Sequence, residues 1–562
     1  MFKLLIMNSI YLVIFAFTCF YLGYKFYSQY IVTKIFDLDD STTTPAHNKN
    51  DGVDYVPTKK HILFGHHFTS IAGAAPIIGP CIAVFWGWLP ALIWVVIGAI
   101  FMGAIHDFGA LVVSLKEKGR SIADVTATVI NKRTRVMFLC FVMCLTWLVL
   151  AVFAMAIAKL FTLYPSSVLP VNIEIIIAVI MGYLIYKKKF NSFIPSVIAL
   201  LVLYLFVYLG TIYKIDLASF GITNPQNTWI ILLFIYSGIV SMLPVWLLLQ
   251  PRDYINSHQL IVGLGLIYTS IFIFRPEVTA PALNISSNSP PIIPFLFVTI
   301  ACGAISGFHG LVSSGTTSKQ INKASDARLI GYGSMLGEGT LALATIIASV
   351  AGIALVTNCE VNGVFHEHLS WGDYYDTWEH AAKNKFMAFV LGGGALLEKL
   401  GLSVELARTL ISVLIISFAA TTLDTATRIQ RMIITELGTA TNIAPLKNKV
   451  GATLLGVIPA YLLTLNGTGW KLWPVFGASN QMLAALTLMV LSIYFWQKGK
   501  KVLPLIAPMI FIMIITLISL FIKTKEFFIS NNYLLLSINL ILILLISWMI
   551  IEGIIQLKKD KR

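Results

Sequence analysis

Ser70-Ile-Ala-Gly73-Ala-Ala-Pro76-Ile-Ile-Gly79-Pro80 lies inside an apolar run that is otherwise long enough to cross a bilayer. Two prolines and two glycines this close together remove main-chain donors and weaken the helical ladder, so the spacing predicts an unwinding in mid-span. Unwound backbone at membrane depth is tolerated only where it is buried in protein or lines a polar cavity, and such breaks mark the solute sites of secondary carriers. A second interrupted run, Tyr236-Ser-Gly238-Ile-Val-Ser241-Met-Leu-Pro244, is expected to be its counterpart.

The rest of the chain supports a lipid setting. Of 562 residues, 57% are hydrophobic and only 12% charged, and the mean hydropathy is +0.82. A soluble globular protein, a disordered chain and a disulfide-stapled secreted domain are excluded on these numbers. The net charge of +14 would suggest nucleic acid in a soluble domain. Here Lys and Arg collect in alternate short connections, such as 116–135, 315–328, 428–448 and 557–562, as cytoplasmic loops do. No nucleic-acid partner is expected, and the pattern places the N-terminus outside and the C-terminus in the cytoplasm. With no phosphate-binding glycine loop and no cofactor motif, neither an ATP-driven pump nor an enzyme is expected.

The fold class expected is all-α: a polytopic membrane protein of about fifteen transmembrane helices, at about 20 apolar residues each. Residues 1–28 form an extra N-terminal helix, and 29–62 a polar connecting loop. Five spans in 63–213 and five in 229–427 make an inverted 5+5 repeat, with the first and sixth core helices broken. Residues 358–402 form an outer loop whose part 385–402 does not span, and 449–556 adds four helices. Among the spans are segments near 64–89, 229–250, 293–314 and 449–466.

Broken helices expose carbonyls to cations and N–H groups to carboxylates. The substrate site is therefore expected at Gly73, Ala74, Ala75, Pro76 and Gly79, together with Ser237, Gly238 and Ser241. Ionisable groups inside spans are costly and so are functional candidates: His67, Asp107, His309 and Glu338 are read as ion- or proton-coupling residues. Hydroxyls at Ser313, Ser314 and Thr317 are read as oxygen ligands for a hard cation such as Na⁺. Asp424 has Arg428 one turn later as an ion-pair partner, or else serves function. Three weaker readings are a metal held by His366, His368 and His380, a hydrolase built on Ser306 and His309, and a membrane sensor or channel.

Several stretches together carry a resemblance. They are Asp51-Gly-Val-Asp-Tyr-Val-Pro57, Leu63-Phe-Gly-His-His-Phe68, Leu243-Pro-Val-Trp-Leu-Leu-Leu-Gln-Pro-Arg-Asp-Tyr254, Thr299-Ile-Ala-Cys-Gly-Ala-Ile-Ser-Gly-Phe-His309, Ser313-Ser-Gly-Thr-Thr317, Ile330-Gly-Tyr-Gly333, Asp424 with Thr427-Arg428, and Trp473-Pro-Val-Phe-Gly-Ala-Ser-Asn-Gln-Met482. In these the chain resembles the carbon starvation protein family, bacterial inner-membrane carriers of the amino acid/polyamine/organocation superfamily type. The resemblance implies uptake of peptides or small carboxylates such as pyruvate, with a proton or sodium ion, during nutrient limitation. A small accessory protein or a second copy of the chain is the expected protein partner. It also implies an ion between the first and eighth core helices, which adds weight to Ser313, Ser314 and Thr317. Two departures stand out: one helix precedes the core where longer members have two, and the outer region 358–402 is short.

Overall fold

The computed structural model describes residues 7–41, 43–286, 289–465 and 472–559. Helices come first as α1 (Ser9–Phe36), the bent pair α2 (Lys60–Ala72) and α3 (Ala75–Trp86), α4 (Trp88–Lys116), α5 (Lys132–Leu163), α6 (Pro165–Lys187) and α7 (Phe193–Ile212). They continue with α8 (Pro225–Met242), α9 (Leu249–Phe274), α10 (Ile292–Thr299), α11 (Gly307–Gly315), α12 (Ala324–Leu355) and α13 (Met387–Glu398). The last are α14 (Val404–Thr441), α15 (Lys449–Leu462), α16 (Trp473–Gln497), α17 (Leu503–Ile529) and α18 (Tyr533–Lys558). Among the described residues, strands are confined to β1 (Met7–Asn8) paired with β2 (Glu277–Val278), and to the hairpin of β3 (Thr357–Val361) and β4 (Val364–His368).

Among the described residues, 11 helices are long and apolar enough to cross a membrane, or 12 with the bent pair. Of the fifteen expected, 64–89 is that bent pair, 229–250 is the 18-residue α8, 293–314 is broken into α10 and α11, and 449–465 holds the 14-residue α15, residue 466 lying outside the described residues. At 12 residues and about 1.5 Å each, α13 is too short to cross a membrane by itself. α1 continues to Phe36, so the polar connection is 37–59 rather than 29–62. The expected break at 236–244 is a helix end: α8 runs unbroken through Tyr236 and Ser241 to Met242, and Leu243 turns extended because the following Pro244 disfavours helix there.

The break at Gly73 is present, with α2 and α3 bent by 42°. A second interruption, missed in the sequence, separates α10 from α11 over residues 300–306. Each turns on a glycine in the left-handed region, Gly73 at φ +47° and Gly303 at φ +90°, where other residues are strained. The two broken helices lie along each other in opposite directions. His67 meets Thr317 at 2.8 Å, Pro76 faces Gly303, Gly79 abuts the carbonyl of Thr299, and the Trp86 Nε1–H donates to the Pro290 carbonyl at 3.1 Å. Partners thus fall in number as residues rise, and the breaks come out side by side. Between helices in lipid, close packing of small residues supplies the contact energy. A Cβ on Gly79 would run into the Thr299 carbonyl, and one on Gly103 of α4 into the Ala304 carbonyl.

A buried ion cluster ties α6, α8, α9 and α14 together. The Arg252 guanidinium donates to Glu174 at 2.9 Å, to Asp424 at 2.6 Å and to the Tyr236 hydroxyl at 2.9 Å. Glu174 also accepts from Ser417 at 2.7 Å.

Two outcomes follow for stability. Gly79→Ala is expected to cost about 1–3 kcal/mol, the usual penalty for overpacking. Arg252→Gln leaves two carboxylates buried without their cation and is expected to cost about 3–5 kcal/mol. Thermal unfolding of the purified protein in detergent checks both, and wild-type melting for either variant contradicts the corresponding contact.

Candidate functional site

Each break strands main-chain groups that a continuous helix would pair. At the first, the carbonyl of Ser70 has lost its helical partner and accepts instead from Thr422 Oγ1 at 3.2 Å. The Ser70 hydroxyl lies 3.1 Å from Thr425 Oγ1 and donates to Asp253 at 3.4 Å, while His66 Nδ1 pairs with that same carboxylate. At the second break the Gly303 N–H donates to Glu338 Oε1 at 2.9 Å, and the Phe308 N–H at the start of α11 donates to Asn480 Oδ1 at 2.8 Å. Neighbouring helices α9, α12, α14 and α16 thus supply what water would supply outside a membrane.

Glu338 ends a chain of ionisable groups. His106 Nδ1 lies 2.7 Å from Asp107 Oδ1, Asp107 Oδ2 lies 2.9 Å from His309 Nδ1, and His309 Nε2 lies 3.3 Å from Glu338 Oε2. All four side chains are fully buried. The first two links are hydrogen bonds, whereas His309 Nε2 and Glu338 Oε2 form none; two carboxylates and two imidazoles in alternation can hold a proton and pass it on once that last gap closes. His67, on α2, holds Thr317 with Nδ1, while its Nε2 has no hydrogen-bond partner among the described residues. Cys302, His309 and Glu338 offer a thiol, an imidazole and a carboxylate within 4.8 Å of one another. Those are metal-ligand types, but both nitrogens of His309 already face carboxylates.

The structure brings together Asp107, His309 and Glu338, and sets His67 and Thr317 on the same pair of broken helices. Gly73, Ala74, Ala75 and Pro76 form the first break and the start of α3, whereas Gly79 is occupied in packing. Ser237, Gly238 and Ser241 stand apart. Their hydroxyls donate to the Phe234 and Gly238 carbonyls of their own helix, and Gly238 faces Thr453 and Val457 of α15. Ser314 accepts from the Ile122 N–H at 3.2 Å and donates to the Gly310 carbonyl, so its hydroxyl is occupied away from the first break. Ser313 is buried, with no partner for its hydroxyl among the described residues.

Asp424 pairs with Arg252, not with Arg428, whose guanidinium reaches Asp54 at 2.8 Å and the Leu243 carbonyl. Ser306 lies against Asn480 rather than His309, which removes the hydrolase pair. His366 and His380 turn to Asp373 and Asp376 separately. An arrangement that spreads Glu174, Arg252, Asp253, Thr422, Thr425 and Asn480 over the Arg252 cluster and the surroundings of the two breaks is not predicted from the sequence. Only the run of polar residues from Thr421 to Arg428 within an apolar span hinted at it.

The sequence profile described as "Carbon starvation protein CstA" matches residues 8–519. The chain is similar to the peptide transporter CstA of Helicobacter pylori (33% identity; 88% of this chain, 78% of the relative) and to the pyruvate/proton symporter BtsT of Escherichia coli K12 (32%; 86% and 77%). It is likewise similar to the peptide transporter CstA of Bacillus subtilis 168 (31%; 86% and 85%). Among solved structures, a manganese transporter of Eremococcus coleocola aligns over 90% of this chain and 99% of that one at 14% identity, with a TM-score of 0.47. A profile match across nearly the whole length, with relatives above 30% identity over most of both chains, means that this protein belongs to the carbon starvation protein CstA family.

Proposed function

We propose that the protein is a secondary active transporter of the cell inner membrane that takes up peptides or small carboxylates such as pyruvate together with a proton, in carbon starvation. The buried chain from His106 through Asp107 and His309 to Glu338, docked on the Gly303 N–H of the second break, carries this reading. The names of the similar proteins, peptide transporters and a pyruvate/proton symporter, support it. A proton moving onto Glu338 changes the acceptor that holds Gly303, so protonation and the shape of the break are coupled. At the start of α3 Pro76 carries no N–H and the Ile77 and Ile78 N–H groups donate to the Ala74 carbonyl, which leaves the N–H groups of Ala74 and Ala75 to meet a substrate carboxylate. The antiparallel broken pair supports an inverted-repeat core whose lead helices are 60–86 and 292–315, rather than 64–89 and 229–250. The sodium-coupled alternative gains no support from Ser314 and Thr317, whose hydroxyls are occupied. The loop basicity supports an external N-terminus and a cytoplasmic C-terminus.

In liposomes containing the purified protein, an imposed proton gradient is expected to drive accumulation of trialanine or pyruvate, and a sodium gradient alone is not. Asp107→Asn is expected to lower proton-driven uptake about 100-fold, the scale of a lost proton-transfer group, while leaving gradient-free exchange in place. Sodium-driven uptake, or an unchanged Asn variant, contradicts the relay. For orientation, a cysteine replacing the exposed Phe365 should react with an impermeant maleimide on intact cells, and one replacing Lys501 only after permeabilisation. The reverse pattern inverts the topology.

A further inference from the structure

On the face that carries the β3–β4 hairpin, a cavity of about 1170 Å³ opens between α5, the start of α8 and residues 379–387. This is somewhat larger than the usual small-molecule site of about 300–1,000 Å³. Its wall carries Lys159, Lys383 and Lys385 against a single carboxylate, Glu379, together with the side-chain amides of Asn224, Gln226, Asn227 and Asn384. Lys159 is the one charged residue of α5 beyond Arg135, set four residues inside the helix end. Its side chain is half-buried and, this close to the helix end, reaches outward into the cavity. Among the described residues neither Lys159 nor Lys383 has an ion pair or hydrogen bond to another group.

Ring contacts lead from this wall to the first break. The Lys385 ammonium lies over Trp473 at 5.6 Å, Trp473 packs on Phe476 at 5.4 Å, and Phe476 meets Phe153 edge-on at 6.3 Å. Phe153 in turn stands 2.9 Å from where a Cβ on Gly73 would be. A line of packed aromatic rings thus joins the cavity wall to the break.

We propose that this cavity is a capture site that binds the carboxylate of an incoming solute through Lys159 and Lys383, before the solute reaches the broken helices. It rests on the transport reading. The carboxamides and Glu379 suit the rest of a short peptide, which offers amides and an ammonium.

The test measures initial uptake of trialanine and of pyruvate by the full chain in phosphatidylcholine liposomes, with trialanine amide as the uncharged-end control. Lys159→Gln and Lys383→Gln are each expected to raise KM for the transported carboxylate about tenfold, as for one lost charge-assisted hydrogen bond. KM for the amide and the maximal rate should stay within about twofold of wild type, on the same scale. Lys383 is exposed, so its variant reads the site even where Lys159→Gln lowers yield. An unchanged KM in both variants overturns the site. A defect seen only when phosphatidylglycerol is added assigns the lysines to a lipid headgroup and also overturns it. Equilibrium binding of trialanine and of pyruvate to the purified protein separates the two readings: lysine-dependent binding without wild-type uptake removes transport and keeps the site, and lysine-independent uptake does the opposite.

Discussion

Main-chain groups stranded inside lipid must find partners within the protein, and this requirement organises the molecule. A single unsatisfied N–H or carbonyl in hydrocarbon costs several kcal/mol in order of magnitude, so two interrupted helices cannot stand alone. Lying antiparallel with their breaks level, each draws its own donors and acceptors from neighbouring helices: Thr422 on the Ser70 carbonyl, Glu338 on the Gly303 amide, Asn480 on the Phe308 amide. The long helices α5 and α14, at 32 and 38 residues, pack along each other beside this pair and supply much of its wall.

The same requirement explains where the charges sit. A carboxylate that caps a free amide needs a positive or protonatable neighbour, and Glu338 has His309, which has Asp107, which has His106. The Arg252 cluster solves an equivalent problem elsewhere in the core by neutralising Glu174 and Asp424 with one guanidinium. The two networks differ in kind: an arginine keeps its proton at any physiological pH, whereas an imidazole does not. One therefore suits a fixed clamp and the other a group that changes state.

Much of this was legible in the sequence, and the losses have physical causes. The membrane class, the break at Gly73 and the candidacy of Asp107, His309 and Glu338 followed from composition, proline chemistry and the cost of charge in lipid. The second break escaped notice because residues 300–306 contain no proline and its glycine, Gly303, looks like ordinary helix packing. Pro244 misled in the opposite direction, since it ends a helix at Met242 instead of interrupting one. Asp424 and Arg428 share a helix face at the favoured spacing, yet each found a better partner far along the chain, Arg252 and Asp54. Pairings across 172 or 374 residues leave no local signature.

Direct imaging of the protein in a lipid nanodisc by electron cryo-microscopy bears most closely on the broken pair. The expected map shows non-helical density at Gly73–Ala74 and at residues 300–306, side by side, with Glu338 on the Gly303 amide and His309 between Glu338 and Asp107. Continuous helical density through either segment, or breaks more than a helix diameter of about 10 Å apart, contradicts it.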